Sequence, residues 1–257
     1  LIAFTGNVGG EEQSGKLTVE NFPIQLLNNF VKIPVGISGN LNIDAAIAGS
    51  IANPQARGQL KITEGTLNQK PIQSANAGFS YADGRLKFGS QVIAVGNEPV
   101  NITGDIPYKL PFASVTPDNN QITLDVKVKD EGLGLLNLFT DQIAFENGEG
   151  EVDLAVRGTR QQPLVKGTAS LNNATFAAQA LQGKLNNVSG KAEFDFNKVF
   201  VENLQGQFSN GKIEATGEIP IFNSQNIQID KPLSVKLEQL VLNLKGLYQG
   251  GASGNLE

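Results

Sequence analysis

Apolar and polar residues alternate one for one along most of this 257-residue chain. In KAEFDFNK the apolar positions are Ala192, Phe194 and Phe196; VFVEN adds Val199 and Val201, and KIEATG adds Ile213 and Ala215. The same pattern runs through Leu60 and Ile62, Leu86 and Phe88, Leu124, Val126 and Val128, and Val152, Leu154 and Val156. A period of two sends successive side chains to opposite faces, so each stretch predicts a strand with one apolar and one polar face. Turn signals fall between them, roughly every 8–12 residues. They are Asp83-Gly84, Asn147-Gly148, Asn210-Gly211, Gly104–Pro107 and Gly217–Pro220. The predicted fold class is all-β. Phe22–Phe30 and Gly132–Phe139 depart from the alternation. Each is expected as a short helix, with Leu26, Leu27 and Phe30, or Leu135, Leu136 and Phe139, on one face; a buried strand or turn is the alternative.

The chain contains no Cys, Met, Trp or His. Serine or cysteine nucleophiles paired with His, thiolate and imidazole metal sites, and disulfides are therefore excluded. An enzyme would have to work with carboxylates, Lys, Tyr and hydroxyls alone. Charged residues make up 18% and the net charge is −5, so there is no basic surplus to bind nucleic acid. No apolar run approaches the roughly 20 residues of a transmembrane helix. The absence of an initiator Met, with Leu1 first, predicts a piece of a longer chain.

Candidate chemistries are weak. Glu11-Glu12, Asp130-Glu131 and the Glu146, Glu149 and Glu151 set lie in Gly-rich stretches, where solvated loops are the expected reading. Pro117–Gln121 lacks the spacing of a calcium loop and reads as a turn. Gly148–Gly150 and Gly250-Gly251 do not open a helix after a strand, so they do not form a phosphate cradle. Lys61, Arg85, Lys87, Lys127, Lys129, Arg157, Lys191 and Lys236 occupy polar alternation positions and predict a solvated outer face. No catalytic residue, metal ligand or cofactor is expected.

An internal repeat is present. Gly39, Asp44, Gly49, Pro54, Gly58 and Thr66 fall on Gly148, Asp153, Gly158, Pro163, Gly167 and Thr175 at an offset of 109 residues. Each copy closes on Gly-[Asp/Glu]-Ile-Pro, at Gly104 and at Gly217. The expected organisation is the end of a preceding unit at 1–38, repeat units at 39–147 and 148–253, and the start of a third at 254–257. Such a chain has a whole apolar face to hide. A sandwich core and an open, apolar-lined trough built from stacked repeats are both consistent with it.

The pattern G-[ST]-x₃-P-x₃-G-x-[LA]-x-[LI] occurs as GSIANPQARGQLKI and as GTRQQPLVKGTASL. With the run LQGKLNNVSGKAEFDFNKVFVENLQGQFSNGKIEATGEIP, it resembles the TamB family (translocation and assembly module, AsmA-like group), which is related to the chloroplast inner-envelope translocon homologue. The first unit carries a weaker form, SANAGFSYADGRLKFGSQVIAVGNEPVNITGDIP. The resemblance covers nearly the whole chain and lies in the order and spacing of degenerate motifs. It implies an elongated curled β-sheet, a β-taco with an apolar groove, in a periplasmic protein anchored in the inner membrane. For a chloroplast-type member the equivalent place is the envelope intermembrane space. It implies carriage of phospholipids between two membranes and support of outer-membrane biogenesis, with docking on an Omp85-type barrel through other parts of the parent. Phospholipid acyl chains are the expected partner here. The expected lining is Phe79, Leu86, Phe88, Ile102, Leu124, Val126, Phe176, Phe194, Phe196, Val199, Val201, Phe208 and Ile213. The alternative is a structural scaffold for outer-membrane protein assembly or secretion, acting through β-strand edges.

Overall fold

The computed structural model describes residues 1–7, 12–29, 36–179, 182–221, 228–244 and 248–256. The alternating stretches form strands: β1 Ile2–Asn7, β2 Gln13–Pro23, β3 Ile37–Gly49, β4 Pro54–Leu67, the short β5 Lys70–Pro71, β6 Ser74–Ala82, β7 Arg85–Ile93 and β8 Val100–Pro107. They continue as β9 Thr123–Lys129, β10 Ile143–Gly158, β11 Pro163–Ala178, β12 Gly183–Phe196, β13 Lys198–Phe208, β14 Gly211–Pro220, β15 Ser234–Leu244 and β16 Tyr248–Leu256. All belong to one sheet, hydrogen-bonded in chain order from β1 to β16 with β5 set against β4. The all-β expectation holds. Proline punctuates the ladder: Pro54 and Pro163 open strands, and Pro23, Pro107 and Pro220 close them, positions where a residue without an N–H costs the ladder least.

Two compact units divide the chain. The first comprises Leu1–Val95, Pro99–Val126 and Val156–Pro163; the second comprises Gly96–Glu98, Lys127–Ala155 and Leu164–Glu257. In the first unit, antiparallel ladders join β1 to β2, β2 to β3, β3 to β4, β4 to β6, β6 to β7 and β7 to β8. In the second, they join β11 to β12 and each strand to the next as far as β16.

Left-handed backbone recurs at the repeat offset. Asn21, Asp130 and Gln239 stand 109 residues apart with φ of 50°, 41° and 51°. Gly39 and Gly148, Gly49 and Gly158, and Glu64 and Asn173 form further positive-φ pairs at the same offset. Several sit where the ladder slips register, as at Asn21 between the Val19 and Phe22 pairings and at Asn173 between those of Leu171 and Ala174. An extra residue in one strand bends and twists it locally, and one way to accommodate it is such a left-handed residue.

Three expectations need correction. The strands are longer than the turn signals imply, because Asn147-Gly148 lies inside β10, where Gly148 at φ 117° makes an irregularity rather than a chain reversal. The two non-alternating runs are 3₁₀ turns, Ile24–Asn29 and Asp130–Leu138, whose three-residue pitch rotates the apolar face. In the second, Leu133 and Leu138 are buried, whereas the expected Leu136 and Phe139 are 49% and 53% exposed. In the first, Ile24 is buried and Leu26 exposed; Phe30 lies outside the described residues.

Candidate functional site

The registers turn the alternation into rows of side chains running across strands. In the first unit one row reads Leu17, Ala45, Gly58, Phe79, Phe88, Gly104, from β2 to β8. Its neighbours read Ile47, Ala56, Tyr81, Leu86, Ile106 and Ile43, Leu60, Ala77, Ser90, Ile102. Rings sit beside bare backbone: a Cβ on Gly104 would stand 2.5 Å from the Phe88 ring and 2.8 Å from a Leu124 methyl. The opposite face is polar, with Lys16–Asp44 at 3.0 Å and Arg85–Asp105 at 2.7 Å across neighbouring strands.

The second unit repeats this construction. One row runs Gly167, Phe194, Val199, Ile219, and the next Ala169, Ala192, Val201, Gly217. Further along lie Phe176, Leu185, Phe208, Gly211 and, in another row, Gly206, Ile213, Leu237, Gly254. Phe176 meets Phe145 of β10 edge-on, with ring centroids 5.6 Å apart and planes at 67°, a favoured aromatic geometry.

Phe79, Leu86, Phe88, Ile102, Leu124 and Val126 belong to the first unit, and all six are half-buried. In the second, Phe194, Val199, Val201 and Ile213 are half-buried, while Phe176 and Phe208 are buried at 8% and 5% exposure. Phe196 stands apart. Its φ is 58° at the tight turn into β13, it is 42% exposed, and the Lys166 ammonium lies 4.4 Å from its ring centroid. That is a cation–π contact with a residue on the polar alternation. Sequence reasoning passed over Ile47, Ile43, Tyr81 and Leu237, which occupy the same rows and carry the same alternation signal. The contribution of Phe145 is visible only through its ring contact with Phe176.

The apolar rows are covered only in part: Ala45, Tyr81, Phe176 and Phe208 are buried, and the other large apolar row residues described above are half-buried or exposed. Among the described residues no polar or charged side chain is buried, and no group of three His, Cys, Asp or Glu stands ready for a metal. The acidic set is engaged on the surface: Glu146 with Lys184 at 2.6 Å, Glu149 with Asn172 at 2.9 Å, and Glu151 with Lys129 at 3.5 Å.

Two polar arrangements are more enclosed. Lys198 and Glu218, on adjacent strands, pair at 2.9 Å, with 25% and 12% of their side chains exposed. The Lys198 hydrogen bond, followed by one from the Asp230 backbone N–H, holds the Glu218 carboxyl below the ordinary glutamate range. Arg85 is not the solvated residue expected, since only 16% of its side chain is exposed. Its guanidinium bonds Asp105 at 2.7 Å, Asp118 at 3.1 Å and the Gln121 carbonyl at 2.9 Å.

This chain is similar to two chloroplast proteins. Over 138 residues, 53% of its length, it is 26% identical to Protein SUBSTANDARD STARCH GRAIN 4, chloroplastic, of Oryza sativa subsp. japonica. Over 129 residues, 50% of its length, it is 26% identical to Protein TIC236, chloroplastic, of Arabidopsis thaliana. Each match spans 6% of the relative's own length. No family model and no solved structure matches the chain.

Proposed function

We propose that this chain is a non-enzymatic segment of a larger hydrophobic-groove protein that carries phospholipids between two membranes and supports outer-membrane biogenesis. Acyl chains lie along the apolar rows and headgroups remain in water. The observation that carries this reading is the incomplete burial of row residues such as Phe79, Phe88, Phe194 and Val201: a filled core would bury them, and an incompletely covered apolar face marks a binding surface. Each buried CH₂ contributes about 0.8 kcal/mol, enough to hold a tail transiently. The two chloroplast relatives support a setting between the membranes of an envelope, the periplasm or its chloroplast counterpart, with an Omp85-type barrel met by other parts of the parent. A scaffold acting through strand edges is the second reading, because β1 and β16 end the strand order and each pairs on one side only among the described residues.

Native mass spectrometry with organic extraction tests the two. Phospholipid near one molecule per chain is expected for the wild type. Val201→Asp and Phe88→Asp are expected to lose that lipid while keeping the β circular dichroism. A lipid-free wild type that takes none from liposomes, or Asp variants that unfold, would overturn the groove reading in favour of the scaffold.

A further inference from the structure

The apolar rows are not uniform. In the first unit, four consecutive members of one row, Ile47, Ala56, Tyr81 and Leu86, form the floor of a cavity of about 370 Å³. Ala56 makes the dip between two large neighbours. The opposing wall is the segment after β8, which supplies Leu110 and Phe112, and the turn between β3 and β4 adds Ile51. Phe112 is 64% and Ile51 57% exposed.

The wall is fastened rather than loose. The Tyr108 N–H donates to the Gly84 carbonyl at 2.8 Å, and Ser114 and Val115 both donate to the Ala52 carbonyl, at 2.9 and 3.0 Å. Arg85 grips the far end through Asp118 and the Gln121 carbonyl. The Tyr81 hydroxyl donates to the Tyr108 carbonyl at 3.0 Å, so the largest polar group of the floor is already satisfied. A preformed cavity with hydrocarbon on the floor, wall and rim selects an apolar guest, and its volume lies near the lower end of small-molecule sites at about 300 Å³.

We infer that this cavity is a discrete seat for one acyl tail of a glycerophospholipid, a stopping point on the face assigned above. The inference rests on the proposed lipid-carrying role. Its added content is that the first unit binds at a defined place instead of letting a tail slide evenly, with Phe112 as the side chain that covers the tail.

Photolabelling of the full chain tests it, using vesicles of phosphatidylcholine with a diazirine on one acyl tail, and a free diazirine fatty acid as a second arm. The phospholipid is expected to label peptides bearing Ile47–Ala56, Tyr81–Leu86 and Leu110–Phe112. Ala56→Leu fills the dip and Phe112→Ser removes the cover. Each is expected to weaken that labelling about tenfold, the order of losing one hydrophobic contact in a pocket, while labelling around Phe194 and Val201 stays unchanged. Labelling confined to the second unit, or insensitive to both variants, overturns the seat but leaves the lipid-carrying role standing. Labelling by the free fatty acid alone overturns the phospholipid assignment. Self-association through Phe112 that excludes the probe assigns the cavity to a second copy and overturns the proposal. An absence of label anywhere overturns the seat and the proposed role together.

Discussion

Gly148 shows how closely single residues are specified. With φ at 117°, it holds a position where a Cβ would stand 2.3 Å from the Ala174 Cα, so backbone as well as side chain would have to move. Gly148→Ala is therefore expected to destabilise the fold by about 1–3 kcal/mol, read as a lower urea midpoint at unchanged slope. The Lys198–Glu218 pair makes a prediction about pH. The folded carboxyl lies below its unfolded value, so its stabilising effect is present above the ordinary glutamate range and fades as pH falls through the folded value. Amide exchange at Asp230, whose N–H donates to Glu218, is expected to quicken on acidification. Lys198→Met, which removes the largest cause of the shift, is expected to move that onset to higher pH. At this scale the sequence was informative about face and silent about dihedral. Phe194 and Phe196 look equivalent by alternation, yet the left-handed turn at Phe196 reverses the parity and delivers its ring to Lys166. Arg85 occupies an outward position as expected, but its burial comes from a segment more than thirty residues away in sequence, which no local pattern contains.

Among elements, the strands were legible and their joints were not. Asp83-Gly84 is a chain reversal and Asn147-Gly148 is not, although both dipeptides carry the same signal. The difference is that β10 has partners to pair with on both sides of the glycine, and register overrides turn propensity. The 3₁₀ turns were located correctly to within a few residues, but reading them with an α-helical period selected the wrong buried face. The segment after β8 bears no periodicity at all, and its path is fixed by backbone bonds to two turns and by Arg85. Arg85→Gln is expected to loosen it without disturbing β7. Losing charge-assisted bonds worth about 1.5–3 kcal/mol each predicts amide exchange at 116–122 at least tenfold faster, with the N–H groups of β6 and β7 unchanged as the internal reference.

At the scale of the whole molecule, the 109-residue offset appears twice, once in residue identities and again in the left-handed positions from Asn21 to Asp130 to Gln239. The limits of the compact units cut across strands, falling within β9, β10 and β11 and on either side of Gly96–Glu98. Because the strands from β1 to β16 follow chain order with β5 set aside against β4, the ladder bonds join near neighbours along the chain among the described residues. This has a mechanical consequence. When the two ends are held and drawn apart in a single-molecule force experiment, the outermost ladder is loaded first and its hydrogen bonds part in succession. The expected record is a series of small, low-force steps, each releasing about 3.3 Å per residue of freed strand, in place of one high-force rupture. Released tension should let the strands re-zip in the reverse order. A chain built this way behaves under load as an extensible tether that yields by increments and recovers its length.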